Sequence, residues 1–347
     1  MLDDVNVLKQ RDPHDALGVA ADQWQQVEHV AEIIDSKASK KVFTNIVVAG
    51  MGGSALAAEL VKVLLEDTLE ISFDVIREYD LPAYVNKSSL VIASSYSGNT
   101  EETLSCYKQA EQRGAALGVV AAGGKLAGLA EAEKVARVII PSGIQPRMAM
   151  LYNLRALLLL LNDFGVVNNK LLNQVEGAAE WLLNESKNWL PTVPTAKNLA
   201  KQIALQAMGK TPVFYGGRLT GPVAYKWKIS WNENAKNVSF WNVYPESNHN
   251  EFVGWASHPV EKPFAVFDLL SSFEHPRILR RFEVSDRLLS GLRPKSMTLE
   301  LTGDSLIKQL LRACILADFA SIYVAILNGV DPTPVDLVEK LKLELSK

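Results

Sequence analysis

Two glycine loops rich in hydroxyls, Gly50-Met51-Gly52-Gly53-Ser54 and Ser94-Ser95-Tyr96-Ser97-Gly98-Asn99-Thr100, each follow an apolar run and precede a helical pattern. The runs Ile46-Val47-Val48-Ala49 and Leu90-Val91-Ile92-Ala93 read as buried parallel strands. Each loop therefore stands at the carboxyl end of a strand. Free N–H groups and the positive end of a helix dipole favour an anion there, and open α/β sheets bind ligands at that edge. Hydroxyls add donors without fixed charge, so the pair suits a phosphate on a small polar molecule. Two plainer readings stay open. Asn99-Thr100-Glu101-Glu102 also reads as a capping box. Gly50-x-Gly52-x-x-Ala55 also matches a dinucleotide fingerprint, which needs an acid such as Glu78 or Asp80 after the second strand, although Arg77 stands there too. The nucleotide reading leaves the serine-rich loop without a task.

A second polar constellation runs from Trp227 to Trp255 and contains Asn232-Glu233-Asn234-Ala235-Lys236 and Asn248-His249-Asn250-Glu251, with four of the seven tryptophans. Aromatic walls beside a carboxylate raise its pKa by desolvation, which is one way a general base is tuned. Glu233 and His249 in one cleft would suit acid–base chemistry on a carbohydrate. The bland alternative pairs Glu233 with Lys236 on a helix face and leaves His249 in a polar turn. A metal site of His249, Glu246 and Glu251 is a third reading, weakened because no second His or Cys stands at ligand spacing. His14, His29, His258 and His275 are assigned to structure or solvent.

These residues need a scaffold. Ile46–Ala49, Phe73–Arg77, Leu90–Ala93, Leu117–Ala122 and Val138–Ile140 read as five parallel strands, with helices at Leu56–Leu65 and Glu101–Gln112 crossing the sheet. After a leucine-rich helix at Leu151–Leu161 and another at Gln174–Trp189, the pattern restarts at Pro212-Val213-Phe214-Tyr215-Gly216-Gly217-Arg218, a weaker echo of the first loop. Val238–Phe240, Phe264–Leu269 and Met297–Leu301 supply further strands. A long apolar helix spans Asp304–Leu327, capped by Gly329, and a short amphipathic helix spans Val335–Leu345. The expected fold is α/β, with two doubly wound domains, each a central parallel sheet flanked by helices. The domains are expected over residues 1–153 and 154–347, the second ending in the amphipathic helix.

The chain of 347 residues exceeds the usual size of one hydrophobic core, in line with two domains. A net charge of -3 gives no basic footprint for nucleic acid. Cys106 and Cys314 form no CxxC, and the amino terminus lacks a signal-peptide pattern, so a reducing cytoplasm is the expected location. The apolar run Ala156 to Leu161 is far shorter than a membrane span and reads as core.

Together, Gly50-Met51-Gly52-Gly53-Ser54, Ser95 through Thr103, Gln145-Pro146-Arg147, Asn232 through Lys236 and Asn248-His249-Asn250-Glu251 resemble the bifunctional phosphoglucose/phosphomannose isomerase family, whose members contain two sugar-isomerase (SIS) domains. The resemblance runs from about Ile46 to the C-terminal helix. It implies an isomerase interconverting glucose 6-phosphate, and also mannose 6-phosphate, with fructose 6-phosphate through a cis-enediolate, needing no metal or cofactor. By it Ser95, Ser97 and Thr100 grip the phosphate, Gly52, Gly53 and Ser54 line the sugar, and Glu233 moves the proton between C1 and C2. Arg147 would stabilise the enediolate oxygens. His249 would assist ring opening and come from the neighbouring subunit of a homodimer, and Lys342, with Lys340 as the other candidate, would complete the site. Thr333 is the candidate for the space at C2. The competing expectation is a non-catalytic sugar-phosphate-binding regulator; no DNA-binding appendage precedes Ile46. An oxidoreductase using NAD rests on the glycine fingerprint alone.

Overall fold

The computed structural model of the chain describes residues 1–38, 41–257 and 262–345. Two compact units divide it. One comprises Asp22–Leu183 with Gly303–Leu311, and the other Met1–Ala21, Asn184–Thr302 and Arg312–Lys347. The expected cut after residue 153 falls inside a helix, Met150–Asp163, six of whose seven leucines are buried, and the units divide instead at Leu183. The first 21 residues group with the second sheet because their polar groups are spent in that unit. Asp3 accepts from the Thr195 N–H and hydroxyl, both at 2.8 Å, and Arg11 donates to the Ile326 carbonyl at 2.7 Å.

The first unit contains strands β1 (Ile33–Ile34), β2 (Asn45–Ala49), β3 (Ser72–Ile76), β4 (Ser89–Ser95), β5 (Ala116–Ala121) and β6 (Ala136–Ile139). Their order is β1-β6-β5-β4-β2-β3, all parallel except β1, which pairs antiparallel with β6. Every residue of β2 and β4 is buried, which explains their unbroken apolar runs. The five expected strands are present within one or two residues; two-residue β1 carries too short a pattern to be read. From β2 the chain moves to one side to form β3 and then crosses to the other to form β4. The loops after β2 and β4 thus flank the point where strand order reverses, the place where such sheets form a ligand crevice.

The second unit contains β7 (Thr211–Gly216), β8 (Phe240–Val243), β9 (Phe264–Ser271) and β10 (Met297–Leu301), all parallel in the order β10-β9-β7-β8. Here β7 takes the place of β2, β8 of β3, β9 of β4 and β10 of β5. The strand expected at Val238–Phe240 begins later. Ser239 is diverted before it, its N–H and hydroxyl donating to Asn232 Oδ1 at 3.1 and 2.8 Å. The helix expected at Gln174–Trp189 is two, Asn169–Glu176 and Ala179–Lys187, parted at Gly177.

Helix Gly221–Glu233 lies on the second sheet with two distinct stripes. Trp227 and Trp231 stack at 5.5 Å and pack on Phe214 of β7 and Phe267 of β9. Each fully buried apolar side chain of this kind contributes roughly 1.5–3 kcal/mol. These two tryptophans therefore form core, and do not wall the Glu233 carboxylate as their proximity in sequence suggested. Helix Leu306–Asn328 is long and apolar enough to cross a membrane by length and composition, a length the Ala156–Leu161 run lacks, yet 89% of its most apolar window is buried inside the folded chain. It ends at Gly329 with φ +70°, where the Val330 N–H reaches the Ala325 carbonyl at 3.0 Å and the Gly329 N–H reaches that of Ile326 at 3.2 Å.

Candidate active site

The serine-rich loop after β4 is built around its hydroxyls. Ser95 Oγ accepts from the Gly98 N–H at 3.1 Å and lies 2.8 Å from Thr100 Oγ1. Thr100 precedes helix Glu101–Gln112, but its side chain makes no capping bond. The capping-box reading therefore fails at this residue, and the first N–H groups of a 12-residue helix keep their capacity for an anion. Ser97 is exposed beside them.

A brace that was not foreseen holds this turn. The loop after β5, Gly123-Gly124, lies directly against it, and the Leu126 and Lys125 N–H groups donate to the Gly98 carbonyl and to Asn99 Oδ1 at 2.9 and 3.1 Å. Gly98 has φ +66°, and a Cβ there would lie 1.8 Å from the Gly123 carbonyl oxygen. Only glycine fits. The signal was available as a third Gly-Gly pair between a strand and a helix.

The first loop meets the same place from β2. Met51 caps helix Gly52–Leu65 through no side-chain bond, so this helix start is open as well. At Gly53 a Cβ would lie 2.8 Å from the Pro146 carbonyl oxygen and 3.5 Å from Arg147 Cα, so the absent side chain lets the turn Pro146–Met148 lie against the loop. Arg147 is buried in that turn and donates to Gln145 Oε1 at 3.3 Å. Asn153 joins the two loops: its Oδ1 accepts from Ser54 Oγ at 3.4 Å and Ser94 Oγ at 3.5 Å, while its Nδ2 donates to the Ala149 carbonyl. Its signal was a single amide in a leucine-rich helix. Gly52, Gly53, Ser54, Ser95, Ser97, Thr100 and Arg147 are thus gathered in the first unit, at the reversal of strand order.

Glu233, His249 and Lys342 belong to the second unit and lie on different elements. Glu233 is the last residue of helix Gly221–Glu233 and is half-buried. The asparagines beside it hold in two directions. Asn232 accepts from Ser239, and Asn234 Nδ2 donates to Ser321 Oγ at 2.9 Å. Lys236 then turns the chain with φ +53°, its ammonium donating to the carbonyls of Glu233 at 2.5 Å and Pro332 at 3.1 Å. This fixes the backbone on both sides of the carboxylate.

His249 ends a short turn, Glu246–His249, and is exposed, with no hydrogen bond to its ring among the described residues. Its neighbours are anchored: Asn248 donates to Ser285 Oγ at 2.9 Å and accepts from Arg281 at 3.0 Å. Glu251 accepts from Tyr215 Oη and, at 2.6 Å, from Asn242 Nδ2, and Glu246 accepts from Asn250 at 2.7 Å. Both carboxylates are engaged by these partners, and among the described residues no group of three His, Cys, Asp or Glu side chains is placed to hold a metal ion. Lys342 stands on helix Asp336–Leu345, which buries none of its residues, and pairs with Glu339 at 2.8 Å. Lys340 is exposed on the same helix. Thr333 is half-buried, its N–H donating to Asp331 Oδ1 at 2.9 Å.

The remaining histidines are structural where described. His14 Nδ1 lies 2.9 Å from Asp331, and His275 Nδ1 accepts the Arg277 N–H at the start of helix Pro276–Leu288. His29 packs edge-on against Tyr152, and burial, together with Arg155, lowers its pKa. His258 lies outside the described residues. At the end of β3, Arg77 pairs with Glu59 at 2.8 Å and Asp80 accepts from Gln109 at 3.0 Å.

The echo loop of the second unit behaves differently from its counterpart. Glu274 follows β9 as the serine-rich loop follows β4. Its Oε1 accepts from the Leu219 and Thr220 N–H groups at 2.6 and 3.2 Å, at the entry to helix Gly221–Glu233. Burial raises its pKa, against the opposing effect of those two N–H groups. The chain's own carboxylate fills this helix start.

Comparison with known proteins matches residues 42–164 to the SIS domain and residues 196–345 to the bacterial phospho-glucose isomerase C-terminal SIS domain. The bifunctional phosphoglucose/phosphomannose isomerase of Caldicellulosiruptor bescii is 35% identical over 328 residues, covering 94% of this chain and 96% of the relative. That of Aquifex aeolicus is 32% identical over 309 residues, covering 88% and 91%. Among solved structures, a glucose-6-phosphate isomerase like protein from Thermus thermophilus shares the fold, with a TM-score of 0.64 at 20% identity over 98% of both chains. With phosphate-type loops at the reversal of the first sheet, a carboxylate at a helix end on the second, and relatives above 30% identity over most of its length, this chain belongs to the bifunctional phosphoglucose/phosphomannose isomerase family.

Proposed function

We propose that the protein interconverts glucose 6-phosphate and mannose 6-phosphate with fructose 6-phosphate by proton transfer through a cis-enediolate. Two observations support this most: in the first unit, open helix starts lined by the Ser95 and Thr100 hydroxyls; in the second, a carboxylate, Glu233, whose flanking residues Asn232 and Asn234 are both hydrogen-bonded in place. Hydroxyls and helix N–H groups suit a dianionic phosphate. In the proposed reaction Ser95, Ser97 and Thr100 hold the phosphate, Gly52, Gly53 and Ser54 line the sugar, and Glu233 carries the proton between C1 and C2. Arg147 offsets the charge that grows on the enediolate oxygens, where a fixed cation acts most strongly in the transition state.

His249 serves ring opening as a proton carrier, donated across the interface of a homodimer. Its exposed ring, on a turn where Glu246 and Asn248 are hydrogen-bonded in place, supports a role toward a partner. Lys342 completes the site in the same proposal. Thr333 is the proposed determinant of mannose acceptance. Both cysteines are free and buried, in keeping with a reducing cytoplasm as the setting. Glu233→Gln tests the assignment: fructose 6-phosphate formation should fall roughly 10²–10⁴-fold. Full turnover in that variant would remove Glu233 as the base, and hexose-phosphate binding by the unaltered protein with no conversion would favour a sensor.

A further inference from the structure

Helix Gly221–Glu233 carries a second buried stripe that the hydrophobic core does not use: Lys226, Ser230 and Asn234, spaced by four and all at most 1% exposed. They face Asp318 and Ser321, one turn apart on helix Leu306–Asn328. Lys226 Nζ donates to Asp318 Oδ1 at 2.6 Å, and Ser230 Oγ donates to the same oxygen at 2.8 Å. Asn234 donates to Ser321 Oγ, which donates in turn to the Asp318 carbonyl at 3.0 Å. These bonds converge on one residue.

A fully buried ion pair is a poor source of stability, since its desolvation cost often exceeds its attraction and apolar residues of similar volume do as well or better. Its position suggests another use. Helix ends fray, and Glu233 is the last residue of this helix, yet a base must be held within a fraction of an ångström of its working position. Ser230, one turn before Glu233, is tied to the Asp318 carboxylate, and Asn234, directly after it, is tied through Ser321 to the Asp318 carbonyl one turn away on the same helix.

We propose that Asp318 is a positioning residue for the isomerase reaction, acting through the backbone of helix Gly221–Glu233 to hold the Glu233 carboxylate at its working place. The inference rests on Glu233 being the base. The triple variant Lys226→Met/Ser230→Ala/Asp318→Leu replaces the polar cluster by apolar volume. Its thermal midpoint is expected at or above that of the unaltered protein, while kcat falls about 10–100-fold at unchanged KM. In a Glu233→Gln background the same change should lower the residual rate no further, because both act on one group. If the triple variant fails to fold, Ser321→Ala removes one hydroxyl of the chain and should lower kcat roughly 3–10-fold without changing KM. Unchanged kcat in a folded variant, or a full additional loss in the Glu233→Gln background, would overturn the role of Asp318 and leave the base assignment standing. Full turnover of Glu233→Gln alone would instead overturn the base assignment.

Discussion

Ser95 and Thr100 place their hydroxyl oxygens 2.8 Å apart across the turn that opens helix Glu101–Gln112, so neither side chain caps the helix it precedes. The pair holds itself ready for an acceptor with charge to share. Thr100→Val keeps the shape and removes the hydroxyl. A hydrogen bond to a charged group is worth about 1.5–3 kcal/mol, so KM for hexose 6-phosphate should rise about 10–100-fold. The bond serves ground state and transition state alike, and kcat should change little in steady-state kinetics.

Gly98→Ala should be far more damaging than its size suggests. The new Cβ would meet the Gly123 carbonyl oxygen at 1.8 Å, and φ +66° is unfavourable for an L side chain. A loss of at least about 2 kcal/mol in urea unfolding is expected, with activity lost beyond what the unfolded fraction explains.

If His249 is donated across a dimer, two inactive variants should rescue each other. Mixed Glu233→Gln and His249→Ala subunits form one site with both defects and one with both groups intact. Co-refolded mixtures should therefore regain turnover that neither variant shows alone. A mixture as inactive as its parts would place both groups of a site on one chain.

Stability should carry a pH signature from Asp268. Burial pushes its carboxyl up to about 6, against the opposing pull of Arg293, whose Nη2 lies 3.7 Å away. The folded state then holds this proton more tightly than the unfolded chain, whose Asp titrates near the ordinary 3.8. The group's contribution to folding is fully present below about 4, declines as pH rises to about 6 and is flat above it. Subtracting the thermal midpoints of Asp268→Asn from those of the unaltered protein across this range should reveal that slope.

Burial pushes the Cys106 thiol up to about 11 and the Cys314 thiol up to about 12, so neither holds appreciable thiolate near neutrality. Iodoacetamide at pH 8 should label no cysteine of the native protein and both after denaturation, as read by intact mass.

The parallel sheets were legible because buried strands such as β2 and β4 are continuous apolar runs, and the glycine loops because phosphate chemistry concentrates Ser, Thr and Gly in few positions. Other features are long-range and leave little local trace. Nothing near Glu233 announces that Asn234 reaches Ser321, and Trp227 and Trp231 suggested a wall for the carboxylate because sequence proximity does not tell which side of a helix faces the sheet. The grouping of the first 21 residues with the second sheet was illegible for the same reason, since the bonds of Asp3 and Arg11 are made with residues nearly 200 or more positions away. Asn153 and Asp318 were visible only as polar residues inside apolar helices, a signal of importance without a partner attached.

The position of Glu274 bears on how two sheets of like topology divide their labour. A carboxylate that is part of the chain sits at the helix start of the second sheet at a high effective concentration, so free phosphate competes poorly for those N–H groups. Among the described residues the loops left open to an anion are then those that converge on the first sheet, and an oxyanion titration should saturate at one equivalent per chain. The second sheet, relieved of ligand capture, has its helix Gly221–Glu233 pinned at both ends: by Glu274 where it begins and by Asn234 just beyond the residue where it finishes.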